Sequence, residues 1–185
     1  MPSIDSCTND DILLRYSEKF YNLIKNEKFV IDKSGVKMVE LIAPMLTLSS
    51  KHPTINLNNV KKTNEDYVKK ELDWYLSQSL SILPKMKDVK IWNDVATKDD
   101  KKEINSNYGW CIFSEENGLQ YQNCLSELIK NKESRRAVMI YTRPSMWKDY
   151  NRNGMSDFCC TTSTQCFIRD NKLIYTIQQR RRWKL

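Results

Sequence analysis

Apolar residues recur at helical spacing in three places along this 185-residue chain. From Asp10 to Lys25, the residues Ile12, Leu13, Tyr16, Phe20, Leu23 and Ile24 follow a 3.6-residue period, with Asn9 or Asp10 as N-cap, and predict an amphipathic packing helix. From Asn64 to Leu76 the period returns in Tyr67, Val68, Leu72, Tyr75 and Leu76, behind Asn64 as N-cap and with Glu65 and Asp66 in the first turn. Glu71 falls inside that stripe. Tyr121, Cys124, Leu125, Leu128 and Ile129 predict a third helix, followed at once by Arg135 and Arg136. Elsewhere the pattern is that of strands and loops. Phe29 to Leu48 is strand material broken at Asp32-Lys33-Ser34-Gly35, a turn that holds Lys33 on a loop before Val36 to Ile42. Ala137 to Tyr141 is apolar throughout, as in a strand covered on both faces. Cys159 to Asp170 and Lys172 to Gln179 flank an Arg169-Asp170-Asn171-Lys172 turn and predict a hairpin. Ser49 to Thr63 reads as a polar surface loop, and Leu83 to Asn107 as mostly charged loop around Ile91-Trp92. Helices mixed with hairpin strands, and no repeat at solenoid periods, predict one α+β domain over residues 1–185.

Composition narrows the class of protein. With 40% hydrophobic and 29% charged residues, 4 Gly and 5 Pro, the chain is neither collagen-like, low-complexity nor disordered. No apolar run approaches a bilayer span. Met1 to Asn9 lacks the basic and apolar regions of a secretory signal, so the six cysteines are expected to be reduced thiols in a cytoplasm. They form no C-x-x-C pair, and the single histidine, His52, stands beside Pro53 in a polar loop. That argues against a metal site and against a nucleophile activated by histidine. A formal charge of +7 favours an anionic partner, and on charge alone nucleic acid and phosphorylated small molecules weigh equally.

Candidate chemistry then comes down to a few residues. A carboxylate at Glu71 among Val68, Leu72 and Tyr75 would be desolvated and suited to proton transfer; the ordinary alternative is an edge glutamate reaching water. The hairpin register sets Cys160 across from Arg180 or Arg181, and a fixed positive charge beside a thiol stabilises the nucleophilic thiolate. The alternative is that Cys160 is one more small buried residue, like Cys159 and Cys166. Lys33, Arg135, Arg136 and Arg180 would make a phosphate site if the fold gathers them, and are otherwise solvated strand ends. The terminal run Arg180-Arg181-Arg182-Trp183-Lys184-Leu185 is short enough to be a frayed tail.

The stretches FVIDKSGVK, KKELDWYLSQSL, KIW, EINSNYGW, SRRAVMIYTRPSM, GMSDFCCTTSTQ and IRDNKL, in that order between Phe29 and Arg180, resemble the thymidylate synthase superfamily, and most closely its bacteriophage deoxycytidylate 5-hydroxymethylases. The resemblance implies an α+β fold with a mixed β-sheet packed with helices, and a homodimer. It also implies one-carbon transfer from 5,10-methylenetetrahydrofolate to C5 of a deoxypyrimidine monophosphate, in the cytoplasm of a bacterial host and with neither metal, membrane nor nucleic acid. Cys160 matches the family's catalytic cysteine and Glu71 its catalytic glutamate. Arg180 matches the arginine that holds the phosphate beside the nucleophile. Arg135 and Arg136 match the pair that serves the partner subunit's phosphate site, and Lys33 stands where synthases carry an arginine. Ile91 and Trp92 match the face against which folate packs, and Tyr108 an active-site tyrosine.

Cys159-Cys160-Thr161, where synthases have Pro-Cys-His, and the MSDF segment before it resemble the hydroxymethylase branch, so 5-hydroxymethylation of deoxycytidylate is the expected reaction. A synthase acting on deoxyuridylate, and a non-catalytic nucleotide- or nucleic-acid-binding remnant, are the alternatives. After Arg180 the resemblance stops, as a frameshift or premature stop would leave it. A truncated domain without its base-selecting segment, weakly active or inactive, is therefore expected.

Overall fold

The computed structural model describes residues 9–31, 35–42, 44–45, 47 and 64–180, with backbone alone for 9–13. Helices and antiparallel sheets together give an α+β architecture. Two compact units divide the chain, the first from the described residues up to 47 and the second from Asn64 onward.

In the first unit, helix α1 (Asn9–Lys25) matches the expected amphipathic element and ends on Lys25, a cation favourably placed at a helix C-terminus. A short antiparallel pair follows, β1 (Val30–Ile31) with β2 (Lys37–Met38). The strands are far shorter than the expected stretch from Phe29 to Leu48, although Gly35, at a φ of 79°, sits where a reversal was anticipated. Lys33 and the Ser49 to Thr63 segment, with His52, lie outside the described residues.

The second unit holds two packed clusters. Helix α2 (Glu65–Leu76) begins at Asn64, whose side chain accepts a hydrogen bond from the Tyr67 amide at 3.0 Å. Its buried face is only partly the expected one. Val68, Leu72 and Leu76 are exposed, whereas Trp74 is fully buried, with Tyr67, Glu71 and Tyr75 half-buried. The apolar count favoured one stripe, but three aromatic rings fill more space than three aliphatic ones and settle the helix on their side. Trp74 packs with Ile82, Met86, Ala96 and Ile104, all fully buried. The stretch expected as charged loop is thus a folded wall containing α3 (Lys90–Val95), and a bridge between Ser81 and Glu103 closes it. Its charges face outward from a few widely spaced apolar anchors, a spacing too irregular to register as periodic.

Helix α4 (Tyr108–Phe113), not anticipated, is capped by buried Asn107, which accepts from the Trp110 amide and donates to the carbonyls of Trp74 and Ser79. Gly109 lets it approach α2: a Cβ there would lie 1.8 Å from the Tyr75 carbonyl oxygen. Helix α5 (Gln120–Lys130) buries Cys124 and Leu128 and exposes Leu125 and Ile129. The second cluster lies between α4, α5 and a three-stranded antiparallel sheet in the order β3 (Val138–Ile140), β4 (Thr161–Arg169), β5 (Lys172–Gln179). Every ladder among the described residues is antiparallel. A short helix, α6 (Met146–Asp149), lies between β3 and β4. The β4–β5 hairpin turns on Asp170 and Asn171, both at positive φ, as the type I′ geometry of a two-residue loop requires. Strand β3 is covered on one face only: Met139 is buried, while Val138 and Ile140 are exposed. All eight residues of β5 are exposed, including Leu173, Ile174, Tyr175 and Ile177. Among the described residues no helix is long and apolar enough to cross a membrane.

Candidate active site

Cys160 immediately precedes β4, and it is the exposed cysteine among the described residues, where Cys111, Cys124, Cys159 and Cys166 are buried. The irregularity between Thr161 and Ser163 is a bulge that bends the strand next to it. Its backbone is held from two sides. The Cys160 and Thr161 amides each donate to the Tyr108 hydroxyl at 3.2 Å, and the Cys160 carbonyl accepts from the Arg180 amide at 2.9 Å. The hairpin therefore sets Arg180 opposite Cys160. Its guanidinium donates to the carbonyls of Cys159 (3.0 Å) and Phe158 (2.6 Å) and stacks 5.4 Å over the Phe158 ring.

Tyr108, at the start of α4, rests between Tyr75 (5.4 Å between ring centres) and Tyr141 (5.4 Å, edge to face). Burial pushes its phenol up despite the opposing hydrogen bonds from Thr161. Through Tyr75 the ring stack reaches Glu71. The Tyr67 hydroxyl donates to Glu71 Oε1 at 2.9 Å, and the Trp92 indole donates to that hydroxyl at 3.1 Å. Aromatic rings, not Val68 and Leu72, therefore enclose the carboxylate. Trp92 lies against Trp74 (5.7 Å), and Ile91 beside it is 63% exposed, on a helix where a loop was expected.

Behind the nucleophile, buried Asp157 takes hydrogen bonds from the Asn105 and Ser106 amides and the Ser106 hydroxyl, each at 2.8 Å. Desolvation pushes its carboxyl above the usual range, against those bonds. The Cys159 thiol is held protonated by its hydrogen bond with Cys111 and by burial.

Cys160, Arg180, Tyr108, Glu71 and Trp92 thus form one connected constellation, with Ile91 beside Trp92. Arg135 and Arg136 stand apart from it. Both are exposed before β3, where the Arg135 carbonyl accepts from Gln165. Gln165 lies midway along β4, five residues beyond Cys160 and roughly 17 Å from it at strand rise. Arg136 Nη1 lies 4.0 Å from Glu127. Sequence reasoning missed Tyr67, Asn107 and Asp157 as site supports. Spacing carries a signal only for Tyr67, four residues before Glu71 on one helix face. Among the described residues no three His, Cys, Asp or Glu side chains are grouped to hold a metal.

The sequence model of the thymidylate synthase family matches residues 14–182. The chain belongs to the thymidylate synthase family. Among its relatives within that family are the deoxycytidylate 5-hydroxymethyltransferases of Enterobacteria phages T4 and T2, each 44% identical over 95% of this chain and 67% of the relative. The same enzyme of phage T6 is similar to the same degree. The family's one-carbon transferase chemistry is consistent with an exposed cysteine set among arginine, tyrosine and a carboxylate.

Proposed function

We propose that the chain carries out 5-hydroxymethylation of deoxycytidine monophosphate with 5,10-methylenetetrahydrofolate, using Cys160 as the nucleophile. The supporting observation is the pairing of exposed Cys160 with Arg180 and Tyr108, in a chain 44% identical to deoxycytidylate 5-hydroxymethyltransferases. Cys160 adds as thiolate to C6 of the pyrimidine, and the electron pair of the C5–C6 double bond becomes available at C5. Arg180, already fixed by backbone carbonyls, offers its remaining N–H groups to the nucleotide phosphate, so the ring is oriented before reaction. The exposed face of Ile91 with the Trp92 ring fits a flat folate, which when bound supplies the one-carbon unit. Glu71, held within its aromatic wall, manages the protons: it accepts the one lost from C5 and orients the water that completes the hydroxymethyl group. Expulsion of the Cys160 thiolate restores the ring.

The homodimer belongs to the same proposal. Arg135 and Arg136 lie too far from Cys160 of their own chain to share its phosphate, so they are assigned to the partner's site. The exposed apolar residues of β3 and β5 supply a surface for a second copy. The decisive assay is release of tritium from C5 of deoxycytidylate and of deoxyuridylate with methylenetetrahydrofolate present. Release from deoxycytidylate, with hydroxymethyl product and no dihydrofolate, is expected, and Cys160→Ser abolishes it. Methyl product and dihydrofolate from deoxyuridylate would instead establish a synthase. No release from either nucleotide, with binding to long nucleic acid that weakens steeply with salt, would establish a non-catalytic binding protein.

A further inference from the structure

The Glu71 carboxylate is tied into a line of donors whose direction is fixed by chemistry. An indole nitrogen can only donate, so Trp92 Nε1 must give its proton to the Tyr67 hydroxyl at 3.1 Å. That hydroxyl has one proton of its own, and it goes to Glu71 Oε1 at 2.9 Å. The phenol can satisfy both neighbours in only one rotor setting. One turn further along α2, Tyr75 feels the carboxylate as well: burial first, then the charge of Glu71, raise its phenol. The indole is held in turn by the Trp74 ring, 5.7 Å from its own. Hydrogen bonds in series polarise one another, so a change at the indole is felt at the carboxylate.

We propose that Tyr67 is a positioning residue that couples the exposed face at Ile91 and Trp92 to Glu71, so that a flat ligand on that face sets the orientation of the carboxylate through the Tyr67 hydroxyl. The ligand's identity rests on the function proposed above; the coupling does not. A phenylalanine at position 67 keeps the ring packing and removes only the link.

The test follows the indole N–H resonances of the five tryptophans in a 1H–15N spectrum of the full chain, with that of Trp92 assigned by its loss in Trp92→Phe. Glu71→Gln is expected to move the Trp92 resonance, the hydrogen-bonded path between the two side chains running through the Tyr67 hydroxyl. The same substitution made on top of Tyr67→Phe is expected to leave it still. A shift from Glu71→Gln that is equal with and without the Tyr67 hydroxyl, or absent in both, overturns the coupling. In the tritium-release assay Tyr67→Phe is expected to lower kcat about tenfold with the KM for deoxycytidylate unchanged. An unchanged kcat with a lowered Tm makes the residue merely structural and overturns the proposal. Should the unsubstituted chain release no tritium, the proposed function falls, while the indole shifts still decide the coupling.

Discussion

Adjacent cysteines before β4 occupy opposite environments, because the period of two along an extended chain points one inward and the next outward. Cys159 packs in the core, donating to the Asn105 carbonyl at 3.4 Å, while Cys160 faces solvent. Thiol-modifying reagent is therefore expected to react in two phases, the fast one lost in Cys160→Ser and retained in Cys159→Ser. The assay is best run on a Cys7→Ser background so that the N-terminal thiol does not contribute. The tyrosines carry a second residue-scale expectation. Burial and then the Glu71 carboxylate push Tyr67 up to about 12, and burial likewise raises Tyr75, Tyr108 and Tyr141. In the unfolded chain a phenol ionises at about 10. The folded state thus binds these protons more tightly, and the stabilisation, complete below about pH 10, is lost as the pH rises through the folded values. Unfolding free energies from urea titrations should fall steeply across pH 10–12, with a shallower fall in Tyr67→Phe.

At the scale of elements, the site depends on α4 lying directly on α2. Gly109→Ala would drive a methyl group into the Tyr75 carbonyl, backbone against backbone, and is expected to cost about 3 kcal/mol or more in chemical denaturation. Position 109 had no voice in the hydrophobic pattern, since a glycine chosen for closeness leaves no periodic mark. The hairpin was legible in its turn and register, which follow from alternation around Asp170-Asn171 and leave Arg180 or Arg181 across from Cys160; the bulge between Thr161 and Ser163, which alternation does not show, shifts the pairing by one residue and selects Arg180. Helix α2 was legible in extent, through Asn64, but only partly in rotation. Counting apolar residues placed Tyr67 and Tyr75 inward with Glu71 between them, but also Val68, Leu72 and Leu76, which are exposed; ring volume instead turns Trp74 inward. Helices α3 and α4 were unreadable for another reason. Each is six residues long, too short for a period to emerge, and is fixed by tertiary bonds such as those from Asn107 to Trp74 and Ser79. The resemblance had already selected Ile91, Trp92 and Tyr108 from those segments, because it reads residue identity where periodicity reads only spacing.

On the scale of the whole molecule, the separation of Arg135 and Arg136 from Cys160 makes the dimer proposal testable without a new structure. Chains carrying Cys160→Ser and chains carrying Arg135→Ala with Arg136→Ala should each be inactive alone. Mixed, unfolded and refolded together, they should recover about a quarter of the activity, because random pairing gives half heterodimers and each has one intact site of two. No recovery would place the arginines in their own subunit's site or outside catalysis.

Asp157 has a broader consequence. Its carboxylate clasps the Asn105 and Ser106 amides, 52 and 51 residues earlier in the chain, directly behind Cys160 on one side and Tyr108 on the other. The clasp works as a rivet through two separately encoded plates: cutting the exposed link at Lys132 would leave the plates joined and the nucleophile facing its tyrosine, whereas removing the carboxylate would strip two buried amides of their partner directly behind the nucleophile with every peptide bond intact.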